Sequence, residues 1–398
     1  MPENPSIDQL LVRGVEQVVP GAESLAKLLQ KRRIKVYLGI DPTGAVLTLG
    51  HAVVLKKLQQ FAQAGHEVVL LIGNGTVRIG DPTGRDSTRP VLTDEMIEEN
   101  FKNWKAQAAK ILDFEKITIE HNGDWLDKLT YTDIVRLLAK TTIQQLLERD
   151  MFQDRLQKGL PIHGHEIMYP LLQGYDSVAM NVDLEIGGSD QLFNMLMGRQ
   201  LQKEYNNKEK WVLTTPIING TDGRKMSKSF GNFIALTENP TDMYGKLMRV
   251  GDAEILTYLT ILTDIPDEEI KAIADELSTG GNPMDAKKRM AHAITSWLNG
   301  ESAANEAAKH FHETVQLKQA PEEMLRVHVP ARITLIELCK LCQPDTSKSE
   351  LKRLIEQGGV ELVSATQVMT DPFAVITVEE ELVLRVGKRN YYQLVQDK

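Results

Sequence analysis

The segment Ile34-Lys-Val-Tyr-Leu-Gly-Ile40 decides the fold class, because its mostly apolar residues predict a buried strand. Between Gly50 and Ala64 apolar residues recur at helical spacing, and Gly65 ends that predicted helix. The run Val68-Val-Leu-Leu-Ile72 predicts a second buried strand. Strand, helix and strand in this order indicate a βαβ unit, the start of a Rossmann-like, doubly wound parallel sheet in an α/β protein.

The chain of 398 residues is long enough for two or three domains. Residues 1–220 predict the Rossmann-like domain, with an inserted helical segment at about residues 110–165. Residues 221–327 predict a glycine-flanked loop followed by a helical domain, which Gly280–Pro283 interrupts. Beyond a linker at His328–Arg332, residues 333–398 predict a small α+β unit of two helices and a few short strands.

The composition is that of a globular protein, with 42% hydrophobic and 25% charged residues. The first residues show neither a basic nor an apolar region, and the longest apolar run, Val68–Ile72, is too short to span a bilayer. We therefore expect a cytoplasmic protein with no membrane partner. The net charge of −9 argues against indiscriminate DNA binding, although a local basic patch could still bind RNA.

Two patterns raise the question of a metal site. The only two cysteines, Cys339 and Cys342, are spaced C-x-x-C, and His163 and His165 flank a glycine. A zinc site needs about four ligands, and neither pattern has a second pair nearby. We expect no protein-bound metal and interpret the cysteines as small apolar residues on one helix face.

The first motif with chemical content is Tyr37-Leu-Gly-Ile-Asp-Pro-Thr-Gly44 followed by Thr48-Leu-Gly-His51, where the first strand gives way to the helix. A helix N-terminus there offers N–H groups and a positive dipole end to phosphate. Gly50 leaves room for a nucleotide base, and His51 can donate to developing negative charge. The alternative is an ordinary strand–helix junction capped by Thr48.

The second motif is Lys225-Met-Ser-Lys-Ser229, flanked by Gly223 and Gly231. Two lysines and two hydroxyls in a glycine-flanked loop suit a triphosphate, whose transfer chemistry depends on positioning and charge neutralisation. The alternative is a solvated basic loop.

Together these motifs resemble the two signature sequences of class I aminoacyl-tRNA synthetases, with Thr48 at the position where the family usually has histidine. A hydroxyl can bond a phosphate oxygen but carries no positive charge. The resemblance implies a catalytic role for Thr43, Thr48, Gly50, His51, Lys225 and Lys228. It implies ATP-binding by Gly39, Asp41, Thr48, His51, Arg85, Arg89, Gly188, Asp190, Lys225, Met226, Ser227, Lys228 and Ser229.

A polar stripe lies within Glu166–Met180, a segment predicted to be helical. At about 100° per residue, Tyr169, Gln173 and Asp176 share one face and could line a pocket. This segment resembles the tyrosine-pocket helix of bacterial tyrosyl-tRNA synthetases. By that resemblance, Asp176 and Tyr37 meet the phenolic hydroxyl of the substrate. The resemblance gives the other tyrosine ligands as Tyr169, Gln173 and Asp81 around the ammonium group, Asn122 near the amino group, and Gln191 near the carboxyl group.

The turn Gly187-Gly-Ser-Asp-Gln191 follows the predicted strand Val182–Ile186 and is similar to the ribose-binding turn of the family. Its glycines allow close backbone approach, and Asp190 can accept from ribose hydroxyls. The alternative is a glycine turn in which Ser189 or Asp190 caps the next helix.

The segment Ser347–Val360, with Val386–Arg389 downstream, resembles an S4-type RNA-binding domain. Against this, Glu379–Glu381 is acidic, and the alternative is a small solvated appendage. The basic residues that could contact an RNA backbone are Lys348, Lys352, Arg353, Lys388 and Arg389.

The resemblance as a whole implies an enzyme that uses ATP with Mg²⁺, L-tyrosine and tRNA(Tyr), and that forms a homodimer. Tyr37 and Asp176 favour a phenol over an indole, which only donates, and so disfavour a tryptophanyl-tRNA synthetase. A synthetase-like RNA-binding protein without activity is the other alternative. The complete Lys225–Ser229 loop and Asp190 argue against it, since RNA binding requires neither.

Overall fold

The computed structural model describes residues 5–83, 92–316, 324–363, 367–378, 382–387 and 390–396. Contacts within the chain divide it into two compact units, Met1–Glu301 and Ser302–Lys398. Each unit has its own sheet. Within the described ranges, no helix is both long and apolar enough to cross a membrane.

The first unit is built on a six-stranded sheet in the spatial order β1-β6-β5-β2-β3-β4. Its strands are β1 (Gln17–Val19), β2 (Lys35–Ile40), β3 (Glu67–Ile72), β4 (Ile117–His121), β5 (Leu184–Gly188) and β6 (Trp211–Thr215). Strands β2 to β6 pair in parallel, and the apolar runs of β2, β3 and β5 are almost entirely buried, as expected for a sheet covered on both faces.

The prediction of a doubly wound α/β sheet is confirmed, with one addition at its edge. Strand β1 pairs antiparallel with β6, so the sheet is mixed rather than wholly parallel. Because β1 has three residues and no buried apolar run, its pattern gives no strand signal.

Fourteen α-helices precede the boundary in the described ranges. The predicted helix at Gly50–Ala64 is present as Leu49–Gln63, and the polar stripe lies on Tyr169–Met180. The helices are α1 (Ile7–Leu11), α2 (Ala22–Lys31), α3 (Leu49–Gln63), α4 (Asp94–Ala108), α5 (Gly123–Leu126), α6 (Tyr131–Leu138), α7 (Ile143–Leu147), α8 (Asp150–Gln157), α9 (Tyr169–Met180), α10 (Leu192–Asn206), α11 (Pro240–Leu247), α12 (Ile255–Leu262), α13 (Asp267–Ser278) and α14 (Pro283–Asn299).

The sheet topology places a crevice at the carboxyl ends of β2 and β5. These two strands are neighbours, but the chain leaves β2 towards β3 and leaves β5 towards β6, on opposite sides. Loops that depart in opposite directions leave a gap between them, which is where ligands bind in open α/β sheets. The motifs that follow β2 and β5 therefore meet at one place.

The second unit is a small α+β fold, consistent with the S4-like unit expected there. Helix α15 (Glu301–Phe311) begins at the boundary, and α16 (Leu335–Cys342) and α17 (Lys348–Glu356) follow. A five-stranded sheet has the order β10-β9-β12-β13-β7, and β11 pairs with β8. The strands are β7 (Leu325–Val329), β8 (Arg332–Thr334), β9 (Val360–Leu362), β10 (Gln367–Met369), β11 (Val375–Thr377), β12 (Leu382–Val386) and β13 (Asn390–Gln396).

The two cysteines lie in the core of this unit. Cys339 and Cys342 are buried on α16 among Leu338, Leu351 and Leu384. Burial raises the pKa of each thiol to about 12, so both stay protonated at neutral pH. They pack as small apolar side chains.

Candidate active site

A cavity of about 320 Å³ opens at the carboxyl ends of β2, β3 and β5. Most of the side chains singled out from the sequence line it together. They are Gly39, Asp41, Thr43, Thr48, Gly50, His51, Asp81, Asn122, Tyr169, Gln173, Asp176, Gly188, Asp190, Gln191, Lys225 and Met226. Tyr37, Ser227, Lys228 and Ser229 do not line it, and Arg85 and Arg89 lie outside the described residues.

The first turn of α3 fixes the proton of His51. The backbone N–H of Thr48 donates to Nδ1 of His51 over 3.1 Å, and the Thr48 hydroxyl lies 2.9 Å from the same nitrogen. Since Nδ1 accepts, the imidazole proton is on Nε2. Burial, together with the nearby charge of Lys228, lowers the pKa of His51 to about 4. His51 is therefore a neutral N–H donor at physiological pH.

The loop Lys225–Ser229, called the lysine loop below, lies against this first motif. A Cβ added at Gly44 would be 3.4 Å from Nζ of Lys228, and one added at Gly50 would be 3.9 Å from Sδ of Met226. These separations correspond to van der Waals contact, so the loop lies directly against the two glycines. The two motifs, far apart in sequence, therefore form opposite walls of one crevice.

The loop also reaches the turn after β5. Nζ of Lys225 lies 2.9 Å from Oδ2 of Asp190, and both side chains are partly exposed. Such an exposed pair contributes little to stability, so it can exchange for contacts to a ligand at small cost.

Asn232, which the sequence did not single out, ties the loop together. It is nearly fully buried, and its Oδ1 accepts from the N–H of Ser227 over 2.8 Å. Its Nδ2 donates to the carbonyls of Arg224 and Lys225 at 3.1 Å and to Asp222 Oδ1 at 2.7 Å. One amide thus holds the backbone of the loop at Arg224, Lys225 and Ser227. The only signal in the sequence is an asparagine directly after Gly231.

A second group of hydrogen-bonded side chains joins α9 to the segments that follow β2 and β3. The Tyr169 hydroxyl donates to Oδ2 of Asp41 over 2.8 Å, and Thr76 donates to Oδ1 of the same carboxylate over 2.7 Å. The resemblance assigns Asp41 to ATP binding and Tyr169 to tyrosine binding. The hydrogen bond between them therefore links the two expected binding regions.

Asp176 is held by two donors. Asn122 Nδ2 lies 3.1 Å from Oδ2, and Trp125 Nε1 lies 2.8 Å from Oδ1. Burial raises the pKa of Asp176 well above its usual range, and these two hydrogen bonds oppose that rise because they favour the carboxylate. The amide NH₂ group of Asn122 donates to Asp176 and to Thr76, and in this way it orients the Asp176 carboxyl group.

Asp81 is both a turn residue and a cavity residue. Its Oδ1 accepts from the N–H and hydroxyl of Thr83 at 3.0 and 2.6 Å, and its Oδ2 accepts from Gln191 Nε2 at 2.7 Å. Asn194 in turn donates to Gln191 Oε1 over 2.9 Å. The amide orientation of Gln191 is therefore fixed, and Asp81 both stabilises the turn before Thr83 and lines the cavity.

Tyr37 lies next to the residues that line the cavity, and its contact with a phenolic hydroxyl stays a prediction. Its ring is fully buried behind the cavity wall among Val69, Leu71 and Met180, and its hydroxyl lies 2.8 Å from Oγ of Ser177. Burial raises the pKa of Tyr37, and the carboxylates of Glu185 and Asp176 raise it further. Ser177, which is distant in sequence, supplies the Tyr37 hydroxyl with a hydrogen bond.

Two charged residues were not anticipated, of which Glu185 lines the cavity and Lys210 lies behind it. Glu185 lies within the buried strand β5, and Lys210 directly precedes β6; both are buried and form an ion pair. A glutamate in an otherwise apolar strand is the signal that could have drawn attention to the pair, because a buried carboxylate needs a partner.

Other features noted in the sequence lie away from the cavity. The rings of His163 and His165 are 5.8 Å apart, and within the described ranges no group of three or more His, Cys, Asp and Glu could hold a metal ion. Lys348, Lys352 and Arg353 are exposed on α17, whereas Lys388 and Arg389 lie outside the described residues, as does Glu379–Glu381.

Comparison with known proteins agrees with this geometry. The family described as tRNA synthetases class I (W and Y) matches residues 29–316. The chain is 45% identical over 388 residues to the tyrosine–tRNA ligase of Thermotoga maritima, covering 97% of this chain and 96% of that protein. It is 42% identical to tyrosine–tRNA ligase 2 of Photorhabdus laumondii, covering 92% of each.

Among solved structures, the chain is similar to a C-terminally truncated mitochondrial tyrosyl-tRNA synthetase of Coccidioides posadasii. The TM-score is 0.62 at 25% identity, covering 76% of this chain and 90% of that one. Together with the two signature motifs across the cavity, these matches show that the chain belongs to the class I tRNA synthetases of the tryptophan and tyrosine type. Within that class it falls with the tyrosine–tRNA ligases.

Proposed function

We propose that this chain activates L-tyrosine with ATP in the cavity described above and then esterifies it to tRNA(Tyr). The observation that carries the proposal is the meeting of the two signature motifs, Thr48–His51 and Lys225–Ser229, opposite the polar face of α9. A phosphate clamp facing a polar pocket is what adenylation of a small polar substrate requires.

The ATP side of the cavity holds donors and cations. His51 donates from Nε2, Thr48 supplies a hydroxyl, and the ammonium groups of Lys225 and Lys228 neutralise phosphate charge. Gly50 and Gly188 let the nucleotide approach the backbone, and Asp190 accepts from the ribose hydroxyls once Lys225 turns to the phosphates. Mg²⁺ enters with ATP as part of the substrate.

The tyrosine side holds acceptors. Asp176, oriented by Asn122 and Trp125, accepts from the phenolic hydroxyl. Asp81, Tyr169 and Gln173 surround the ammonium group. Either hydroxyl can be the donor between Tyr37 and Ser177, so Tyr37 can accept from Ser177 and still donate to the phenol, while Asp176 is the acceptor for the phenolic proton.

The reaction runs in two displacements. The tyrosine carboxylate attacks the α-phosphorus of ATP, pyrophosphate leaves, and tyrosyl-adenylate stays in the cavity. A ribose hydroxyl at the 3′ end of the tRNA then attacks the activated carbonyl, and AMP leaves. No side chain forms a covalent bond to the substrate, because positioning and charge stabilisation lower both barriers.

Pyrophosphate exchange on the purified protein tests this function. Tyrosine should drive exchange of labelled pyrophosphate into ATP, and tryptophan should not. Exchange with tryptophan instead would indicate a tryptophanyl enzyme, and no exchange with either would indicate a synthetase-like RNA-binding protein.

We also propose that residues 333–398 form a separate S4-like domain that holds tRNA(Tyr). Lys348, Lys352 and Arg353 are exposed on α17 and could contact phosphates. Such contacts position RNA and take no part in tyrosine activation.

A homodimer is the assembly we propose. Helix α6 exposes Tyr131, Val135 and Leu138, spaced to share one face, and Ile143 on α7 is also exposed, with Tyr131 84% exposed. A cluster of apolar side chains left in water is typical of an interface. We place the enzyme in the cytoplasm, where protein synthesis consumes its product.

A further inference from the structure

A cluster of four polar side chains reaches the cavity wall, and all but Gln173 are buried and have no role in the mechanism above. It consists of Lys210, Glu185, Ser177 and Gln173. Lys210 is fully buried, and its Nζ contacts the Glu185 carboxylate, Ser177 Oγ at 2.7 Å and the Met195 carbonyl at 3.2 Å. An ammonium group has three N–H donors, and these three acceptors use all of them.

The two oxygens of Glu185 serve different partners. Oε2 accepts from Lys210, whereas Oε1 accepts from Nε2 of Gln173 over 3.2 Å. A carboxylate paired with an ammonium group can only accept hydrogen bonds. Glu185 therefore requires the side-chain amide of Gln173 to turn its NH₂ group towards the carboxylate.

This constraint determines what Gln173 can offer a ligand. With NH₂ facing Glu185, the carbonyl oxygen is the free end of the amide. That oxygen, Oε1, is buried and has no hydrogen-bond partner among the described residues, and Gln173 lines the cavity. A buried acceptor without a partner is costly, and a ligand that donates to it removes the cost.

We propose that Lys210 and Glu185 are positioning residues that hold the Gln173 amide with its oxygen towards the substrate ammonium group. Lys210 holds Glu185, Glu185 orients the amide, and the amide recognises the cation. An amide held the other way would present an N–H group to a positive charge. The inference rests on the proposed function, in which Gln173 is an ammonium ligand.

One isosteric change should reverse the amide. In Glu185→Gln, Lys210 still needs an acceptor and takes the new carbonyl oxygen, so the new NH₂ group points at Gln173. Gln173 must then turn its own oxygen towards residue 185 and its NH₂ towards the cavity. The variant keeps the volume of the side chain and a partner for Lys210, so we expect it to fold.

The test compares two ligands that differ only in the amino group. Tyrosine affinity should fall about 10- to 100-fold in Glu185→Gln, the range for a lost hydrogen bond to a charged group. The inhibition constant of 3-(4-hydroxyphenyl)propanoate, which lacks the ammonium group, should change less than about twofold. A general disturbance of the pocket would weaken both.

A second variant tests the orientation itself. The swap Gln173→Glu with Glu185→Gln lets the new amide donate to the new carboxylate, which again leaves an oxygen facing the cavity. We expect the swap to recover most of the tyrosine affinity lost in Glu185→Gln. The matched control is Glu166→Gln, which removes a carboxylate from the buried ion pair with Arg155. Neither residue lines the cavity, so the affinities for both ligands should stay the same.

Three results would overturn the inference. They are equal losses for the two ligands, an unchanged tyrosine affinity in a folded Glu185→Gln protein, or no recovery in a folded swap variant. Thermal melting checks the folding of each variant. A wild-type chain without tyrosine-dependent exchange would overturn the proposed function as well, whereas normal wild-type exchange with equal losses overturns this inference alone.

Discussion

The backbone N–H of Thr48 donates to Nδ1 of His51 over 3.1 Å, so the imidazole presents an N–H group from Nε2. The threonine that stands where the family usually has histidine thus sets the tautomer of the histidine three residues later. Together with the lowered pKa, this makes His51 a neutral donor towards phosphate.

The first prediction concerns pH. The folded-state pKa of His51, about 4, lies below its ordinary value of 6.5, so the unfolded chain binds a proton that the folded chain rejects. The contribution of His51 to stability is therefore complete above pH 6.5 and is lost as the pH falls to about 4. Between pH 6.5 and pH 4 the free energy of unfolding should fall by roughly 2 kcal/mol more in the wild type than in His51→Asn, which lacks the titrating group. Denaturant unfolding at several pH values gives the free energy of unfolding of both proteins. Parallel plots of this free energy against pH would contradict the prediction.

The second prediction concerns the lysine loop. Lys228→Ala should raise the activation barrier for adenylate formation by about 2–4 kcal/mol. The effect should fall on kcat, because this charge contacts the phosphates mainly in the transition state. Tyrosine affinity should stay nearly the same. Rapid-quench measurement of adenylate and a tyrosine titration separate the two quantities. Lys27→Ala, an exposed lysine paired with Glu23, is the control, and an unimpaired adenylate burst in Lys228→Ala would refute the role.

The third prediction concerns Asn232. Asn232→Ala leaves the N–H of Ser227 without its acceptor and frees the loop carbonyls. We expect an increase of about 1–3 kcal/mol in the barrier to activation, with tyrosine binding unchanged. Tyrosine-dependent pyrophosphate exchange measures this barrier. The control is Asn206→Ala, which replaces an exposed asparagine on α10. Equal activation by both variants would show that the amide does not set the loop.

The fourth prediction concerns tRNA. Replacing Lys348, Lys352 and Arg353 by Gln in the full chain should leave pyrophosphate exchange intact and weaken tRNA charging. The slope of log affinity for tRNA against log salt should decrease by about 2, since up to three phosphate contacts are lost. Filter binding at several salt concentrations gives the slope. An unchanged slope would favour the interpretation of residues 333–398 as an appendage.

The sequence was informative where one segment carries its own signal. The buried runs of β2 and β3 and the spacing of α3 predicted the βαβ unit, and the 100° periodicity placed Tyr169, Gln173 and Asp176 on one face. Strands β1, β4 and β6 went unnoticed, because each is short and its pattern is not distinctive outside the sheet.

Side-chain partners could not be read in the same way. Tyr37 bonds Ser177, 140 positions along the chain, and Lys210 reaches Glu185 only once β6 lies beside β5. Which way a hydroxyl or an amide turns depends on such tertiary neighbours, and no local pattern encodes them. Asn232 escaped notice for the same reason, since its importance lies in the three backbone groups around it.

The central claim is that Asp176 recognises the phenolic hydroxyl of tyrosine in this cavity. Tyrosyl-tRNA synthetases as a class reject phenylalanine by about 10⁵, a magnitude known for these enzymes and not obtained from this structure. The most direct test is the ratio of kcat/KM for tyrosine over phenylalanine in pyrophosphate exchange, measured for the wild type, Asp176→Asn and Tyr37→Phe. We expect the ratio to fall at least about 100-fold in Asp176→Asn, because the phenol loses its carboxyl partner, and to fall less in Tyr37→Phe, which leaves that carboxyl group in place. An unchanged ratio in a folded Asp176→Asn protein would contradict the account.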